Sequence, residues 1–264
     1  MKVRATYSDL PGRRALVTGA SSGIGLGVAE ALLDQGLHVA VHFKSQRAPA
    51  EELCARFPGR GFPVQADLGT EAGCVHAVKQ AAQVMGGLEG LVHSAGIWTD
   101  GAIERLEAAR LEEMFRVNVF SAFYLVREAL PHLRRGERGR GNVILVGSTA
   151  GQRGEAGHSH YAASKGALQS LCLSLAVELA PAVRTNLVSP GWVRTPMAEG
   201  ELAASGALIA GALPNRRVAE VEDVVHAVLY LASEASGHLL GQDLEVSGGA
   251  LLVVPRGQVV ARDG

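Results

Sequence analysis

Short apolar runs alternate with longer amphipathic stretches along the whole chain. The first run, Ala15-Leu16-Val17, leads into a glycine-rich segment from Gly19 to Gly27. Val28 to Gln35 then carries a helical pattern that Gly36 closes as a C-cap. His38 to Phe43 reads as a second strand, rich in β-branched and aromatic residues. Gly61–Gln65, Leu88–Ser94, Asn142–Gly147, Val183–Val188 and Gln242–Val246 predict further strands. Helical spacing fills most of the intervals, as where Leu168, Leu171, Leu175 and Leu179 recur at three- and four-residue steps. Strands that are apolar throughout, not only at alternate positions, belong to sheets covered on both faces. Joined by helices, they predict a doubly wound α/β fold around a parallel sheet. No linker or repeat divides the pattern, so one domain is expected over residues 1–264.

Two segments break the alternation. Arg134 to Gly141 is charged and glycine-rich, and without interleaved aromatics it reads as a solvated loop, not a phosphate or nucleic-acid patch. Met197 to Leu213 is rich in Ala, Gly and Leu. It predicts either a substrate lid, around residues 196–215, or a small helical excursion.

Charge and composition narrow the class. Lys and Arg number 25 against 26 Asp and Glu, which argues against a basic nucleic-acid binder and against a polyanionic tail. With 47% hydrophobic and 19% charged residues the chain is not disordered, and with 5% aromatics its core must be mainly Ala, Val and Leu. Cys54, Cys74 and Cys172 form no C-x-x-C pair and cannot all be bridged internally, which predicts a reducing, cytoplasmic setting. The opening Met1 to Leu10 lacks the apolar segment of a signal peptide. No apolar run approaches the ~18 residues of a membrane span, so a soluble protein is expected.

The chemistry concentrates in a few places. Thr18-Gly19-Ala20-Ser21-Ser22-Gly23-Ile24-Gly25 lies between a strand and a helix, where glycines let a pyrophosphate approach main-chain N–H groups at a helix N-terminus. Among the four tyrosines only Tyr161 is followed by a lysine at the fourth position, Lys165. That spacing puts both on one helix face. A cation ~4–5 Å from the phenol is worth ~3–4 kcal/mol at an effective dielectric of ~20, and is expected to draw its pKa down toward neutrality. Ser148 ends an apolar strand, where open α/β sheets place ligands. His158 and His160 lack a third metal ligand at suitable spacing and are expected to line a substrate entrance; no metal site is expected. Trp98, His158, Trp192 and the 197–213 segment are the expected pocket walls, and Cys172 is expected in the core.

With these motifs in order, the sequence resembles the short-chain dehydrogenase/reductase family in its compact form, from about Gly12 to Gly249. Asp67-Leu68 is similar to the family's adenine-contacting pair. His93-Ser94-Ala95-Gly96 stands where the family usually has Asn-Asn-Ala-Gly. Asn118 within Val117-Asn118-Val119, Ser148, and Tyr161-Ala162-Ala163-Ser164-Lys165 match its active-site motifs. Pro190-Gly191-Trp192-Val193-Arg194-Thr195 matches its cofactor-carboxamide segment, and Val246-Ser247-Gly248-Gly249 resembles a terminal V-D-G-G.

The resemblance implies about seven parallel strands and a catalytic set of Asn118, Ser148, Tyr161 and Lys165. Ser148 would bond the substrate carbonyl, and Asn118 would hold a water that relays protons through Lys165. The implied cofactor contacts are Gly19, Ser21, Ser22, Gly23, Ile24, Gly25, Phe43, Lys44, Ser45, Asp67, Leu68, Ser94, Ala95, Gly96, Tyr161, Lys165, Pro190, Gly191, Val193 and Thr195. Lys44 and Ser45 follow the second strand, where an NAD-selective site wants an acid, so NADP(H) is favoured with NAD(H) open. The implied activity is NADPH-dependent reduction of a 3-oxoacyl or similar ketone. Two alternatives stay open: oxidation of a sugar or secondary alcohol, and a non-catalytic dinucleotide sensor suggested by the altered His93-Ser94 pair. A homotetramer, or a dimer, is expected, because the helices around Leu111–His132 and Tyr161–Ala180 are apolar on more than one face.

Overall fold

The protein is described from a computed structural model that covers residues 6–135 and 141–252. Residues 1–5 of the opening segment and 136–140 of the charged glycine-rich stretch lie outside the described residues. Seven strands form one sheet: β1 (Arg14–Thr18), β2 (His38–Phe43), β3 (Gly61–Gln65), β4 (Gly90–His93), β5 (Gly141–Val146), β6 (Val183–Pro190) and β7 (Asp243–Val246). Their order is β3-β2-β1-β4-β5-β6-β7, and every pairing is parallel. β5 and β6 are buried along their whole length; β5 is apolar from Val143 to Val146, while the buried Arg184, Asn186 and Ser189 of β6 are hydrogen-bonded. β3 lies at an edge and tolerates Pro63, which has no N–H to give to a further strand.

Helices cover both faces. Across β1, Ala15 and Val17 face one core while Leu16 faces the other. On the first face pack α1 (Gly23–Asp34) and α9 (Val221–Ala232), through Val28, Leu32, Val224 and Val228. On the second pack α3 (Glu71–Met85), α5 (Ser121–Leu133) and α7 (Ser159–Leu179). Leu168, Leu171 and Leu179 of α7 are buried there, Leu175 packs against them, and Cys172 is also in the core. The remaining helices are α2 (Arg47–Arg56), α4 (Ala108–Phe115), the single turn α6 (Ala150–Arg153) and α8 (Glu199–Ala212). α8 occupies most of the 197–213 segment and buries none of its side chains.

α1 begins at Gly23, five residues before the apolar periodicity starts at Val28. Gly23, Gly25 and Gly27 are poor helix formers and interrupt the apolar spacing, so the first turn does not stand out in the hydrophobic pattern although Ile24 and Leu26 pack on the core. Between α4 and α5 the chain makes a π-helical turn, Arg116–Phe120, which carries Asn118. Among the described residues no helix is long and apolar enough to cross a membrane.

Candidate active site

The chain reverses its direction across the sheet between β1 and β4, and the loops after these strands open a crevice at their carboxyl ends. Thr18 holds the two loops together: its Oγ1 accepts from the N–H groups of Ser94 and Ala95, both at 3.1 Å. Gly19 lies at φ +64°, and a Cβ there would fall 2.8 Å from Ala95 Cα. At Gly25 a Cβ would fall 2.2 Å from the Gly19 carbonyl oxygen, so the first turn of α1 packs directly on the loop. Ser22 is the N-cap of α1, its side chain makes no capping bond, and the first turn holds no acid. The N–H groups and positive end of α1 are thus left for an anion, and the loop fits the pyrophosphate of a dinucleotide.

His42 completes this half of the site. Its Nδ1 accepts the Gly19 N–H at 3.1 Å, which leaves the ring proton on Nε2, 3.2 Å from the Ala66 carbonyl oxygen. Burial pushes its pKa down to about 4, so the ring is neutral at physiological pH. Lys44 and Ser45 line the cleft beyond β2, and Lys44 Nζ lies 3.0 Å from Asp67 Oδ2. That contact holds the Asp67 carboxyl below the usual carboxylate range. Phe43 departs from the expected contact set. Its ring is in the core, 2% exposed, because strand alternation turns it to the face of Val39 and Val41.

One cleft of about 480 Å³ joins this half to the groups beyond β5 and β6. Gly19, Ser21, Ser22, Gly23, Ile24 and Gly25 line it, with Asp67 and Leu68 beyond β3 and Ser94, Ala95 and Gly96 beyond β4. Ser148, Tyr161, Lys165, Pro190, Gly191, Val193 and Thr195 line the rest. Ser148 stands just past β5, beside the Tyr161 hydroxyl, whose pKa it lowers. Lys165 lies under Tyr161, its Nζ 5.8 Å from the ring centroid, and donates to the Val146 carbonyl oxygen at 2.9 Å.

Here the electrostatics differ from the sequence expectation. Burial pushes Tyr161 up to about 12, the neighbouring Ser148 hydroxyl opposes the rise, and the charge of Glu155 adds to it. Burial also pushes Lys165 down to about 8. The lysine therefore does not bring the phenol toward neutrality in this arrangement. The cause is geometric: helical spacing puts both residues on one face, but the ammonium turns to Val146 and desolvation dominates both groups.

Asn118 does not line the cleft. It is fully buried, its Oδ1 accepts from Ile97 N–H at 2.8 Å, and its Nδ2 donates to Ile97 O and Ser164 Oγ, both at 3.0 Å. It thereby fixes the turn after Gly96, where a Cβ would stand 3.5 Å from Lys165 Nζ. His93 is equally buried, and its Nε2 lies 2.8 Å from Ser121 Oγ. Ser121 donates to the Val117 carbonyl, so His93 is the donor and stays neutral, its pKa pushed down to about 3 by burial. Cleft residues that the sequence reading missed include His42, Glu113, Arg153 and Glu155. Only His42 had a legible signal, a polar residue inside an otherwise apolar strand.

Residues 19–250 match the family model described as enoyl-(acyl carrier protein) reductase. An acetoacetyl-CoA reductase of Allochromatium vinosum is 32% identical over 245 residues, covering 91% of this chain and 99% of that protein. A short-chain dehydrogenase of Burkholderia cenocepacia solved in complex with NADP is 31% identical, with a TM-score of 0.86 and coverage of 93% and 100%. A 3-ketoacyl-(acyl-carrier-protein) reductase of Brucella melitensis solved with NADH is 27% identical, with a TM-score of 0.85 and coverage of 92% and 100%. The protein is accordingly an oxidoreductase that works on CH–OH and C=O groups with a nicotinamide cofactor. It belongs to the short-chain dehydrogenase/reductase family.

Proposed function

We propose that the protein reduces a ketone, a 3-oxoacyl group or a similar carbonyl, to a secondary alcohol with NADPH. The observation that carries this reading is that Ser148, Tyr161 and the underlying Lys165 line the same cleft as the glycine loop. When bound, the cofactor supplies a hydride to the carbonyl carbon. Ser148 Oγ orients the carbonyl oxygen. Tyr161, kept protonated at neutral pH by its burial, delivers a proton to that oxygen as negative charge develops on it. Lys165 keeps most of its charge at neutral pH and stabilises the phenolate left behind. Asn118 holds the Gly96–Ile97 turn against Lys165 and would hold a water that relays protons through Lys165. Loss of NADPH absorbance with a panel of ketones tests the reading; a protein that binds NADPH but consumes none with any carbonyl contradicts it.

NADP(H) is the cofactor we assign, on Lys44 and Ser45 at the ribose end of the cleft. The Lys44–Asp67 pair is exposed, and such pairs contribute little, so the ammonium is free to turn to a 2′-phosphate. A charge-assisted bond of this kind is worth about 1.5–3 kcal/mol. Lys44→Ala is expected to lower kcat/KM for NADPH about tenfold and to leave NADH within about threefold. Equal losses with both cofactors, read from steady-state kinetics, would remove the assignment.

The 196–215 segment we assign as a lid, because Met197 and Ala198 reach the cleft while α8 beyond them is unburied. A reducing cytoplasm suits the three free, buried thiols. A homotetramer, or a dimer, would cover Phe120 and Phe123, and Leu173 and Val177 of α7, which are 44%, 50%, 56% and 82% exposed. Light scattering at micromolar concentration is expected to give a multiple of 27.5 kDa. The monomer mass would contradict it.

A further inference from the structure

Both tryptophans of the chain line one cleft, although nothing in the proton-transfer chemistry calls for an indole. The rings of Trp98 and Trp192 meet edge to face, with centroids 6.2 Å apart and planes at 81°. Both flank the reacting groups. Trp98 follows Ile97, which is pinned to Asn118. Trp192 stands two residues after Pro190, whose carbonyl oxygen accepts from Thr149 N–H at 3.0 Å, next to Ser148.

The Trp98 side is held from behind. The His158 imidazole stacks on the indole, with centroids 4.4 Å apart and planes at 10°. His158 Nε2 lies 2.8 Å from Asp100 Oδ1, and His160 Nε2 lies 3.1 Å from Thr99 Oγ1. Gly101 N–H donates to the Gly157 carbonyl oxygen at 2.9 Å. The loop carrying Trp98 is thus bound, residue after residue, to the loop that leads into Tyr161. The two histidines are not walls of the entrance, as their sequence position suggested; they fasten the wall. A side chain locked in this way loses little freedom when a ligand arrives, which is the condition for selective binding.

Two perpendicular indoles form a corner. A third flat ring seated there stacks on one and presents its edge to the other, and both arrangements are favoured between aromatic rings. A saturated ring is buckled and has no polarised edge, so it gains contact area alone. Building on the ketone-reduction reading, we propose that the Trp98–Trp192 corner selects ketones that carry a planar aromatic ring next to the carbonyl, with His158 and His160 as positioning residues.

The test compares 2-tetralone with its saturated counterpart 2-decalone, two bicyclic ketones whose carbonyls are both unconjugated. The acetoacetyl thioester of N-acetylcysteamine serves as a linear third substrate, all with NADPH. Wild-type kcat/KM is expected to favour 2-tetralone over 2-decalone about tenfold. Trp98→Leu is expected to cut that ratio below about threefold, and Trp98→Phe to keep most of it. His158→Ala is expected to raise KM for 2-tetralone more than it lowers kcat. A second readout needs no turnover and no variant: both tryptophans lie at the site, so 2-tetralol with NADP is expected to quench wild-type tryptophan fluorescence saturably. A wild-type ratio near one, or a ratio that Trp98→Leu leaves unchanged, overturns the inference while turnover of 2-decalone or the thioester sustains ketone reduction. The absence of saturable quenching overturns it as well. Turnover of none of the three by NADPH-bound protein removes the ketone-reduction reading and this inference together.

Discussion

Tyr161→Phe is expected to lower kcat by ~10²–10⁴-fold, the range typical of a lost general acid. The ring and its packing survive, while the hydroxyl that stands beside Ser148 at the cleft is deleted. NADPH binding is expected to stay within about threefold, because the groups proposed to hold the pyrophosphate belong to the glycine loop, which the substitution leaves intact. Energy transfer from tryptophan to bound NADPH measures that affinity directly. Retention of more than about a tenth of the wild-type turnover on a good substrate would mean that another group delivers the proton.

Lys165→Met is expected to separate stability from activity. Lys165 is 6% exposed, its ammonium has the Val146 carbonyl as a hydrogen-bond partner, and its pKa is pushed from 10.5 down to about 8 by burial. A lysine with a lowered folded pKa binds its proton less tightly when folded than when unfolded, so its charge costs stability at neutral pH. Methionine fills similar space without the charge. The variant, free of cofactor, is expected to be more stable than wild type by about 2 kcal/mol near neutral pH. The sign of the pH dependence follows. The gap is constant below about pH 8 and narrows as pH rises toward 10.5, where the wild-type amine has lost its proton in both states. Denaturant melts of the two proteins across that range check it; a destabilised variant would contradict the stated cost of burying the charge. Activity is expected to fall by at least about 100-fold, with weaker cofactor binding and a higher pH needed for alcohol oxidation. A residue that lowers stability where it is needed for chemistry is the expected signature of a reactive site.

What the sequence made legible follows from which interactions are local. β2 and β3 occur at their expected bounds, since a run such as Val39-Ala40-Val41 is buried on both sides and advertises it. The glycine loop was legible because its positive-φ turn at Gly19 and close packing at Gly25 demand glycine whatever surrounds them. The start of α1 was hidden by the same glycines. The π-helical turn at Arg116–Phe120 was illegible, because one added residue per turn leaves no mark on apolar spacing. Distance in sequence hid the rest. His42 reaches the site through the Gly19 N–H and the Ala66 carbonyl, and Glu155 acts on Tyr161 by charge across a loop. The direction of the Lys165 ammonium is set by Val146, nineteen residues away in sequence, so the Tyr–Lys spacing alone predicted a pKa effect that the packing reverses.

Hydride transfer from the nicotinamide to a carbonyl carbon is the central claim, and isotope transfer tests it most directly. NADPH carrying deuterium on both hydrogens of the nicotinamide C4 is incubated with the purified protein and a ketone that it turns over or, failing turnover, with the full ketone panel. The product is analysed by mass spectrometry and NMR. One deuterium on the carbinol carbon of a secondary alcohol, formed in step with NADPH loss, is the predicted result. NADPH bound without alcohol formation, or alcohol without deuterium at that carbon, would contradict the account.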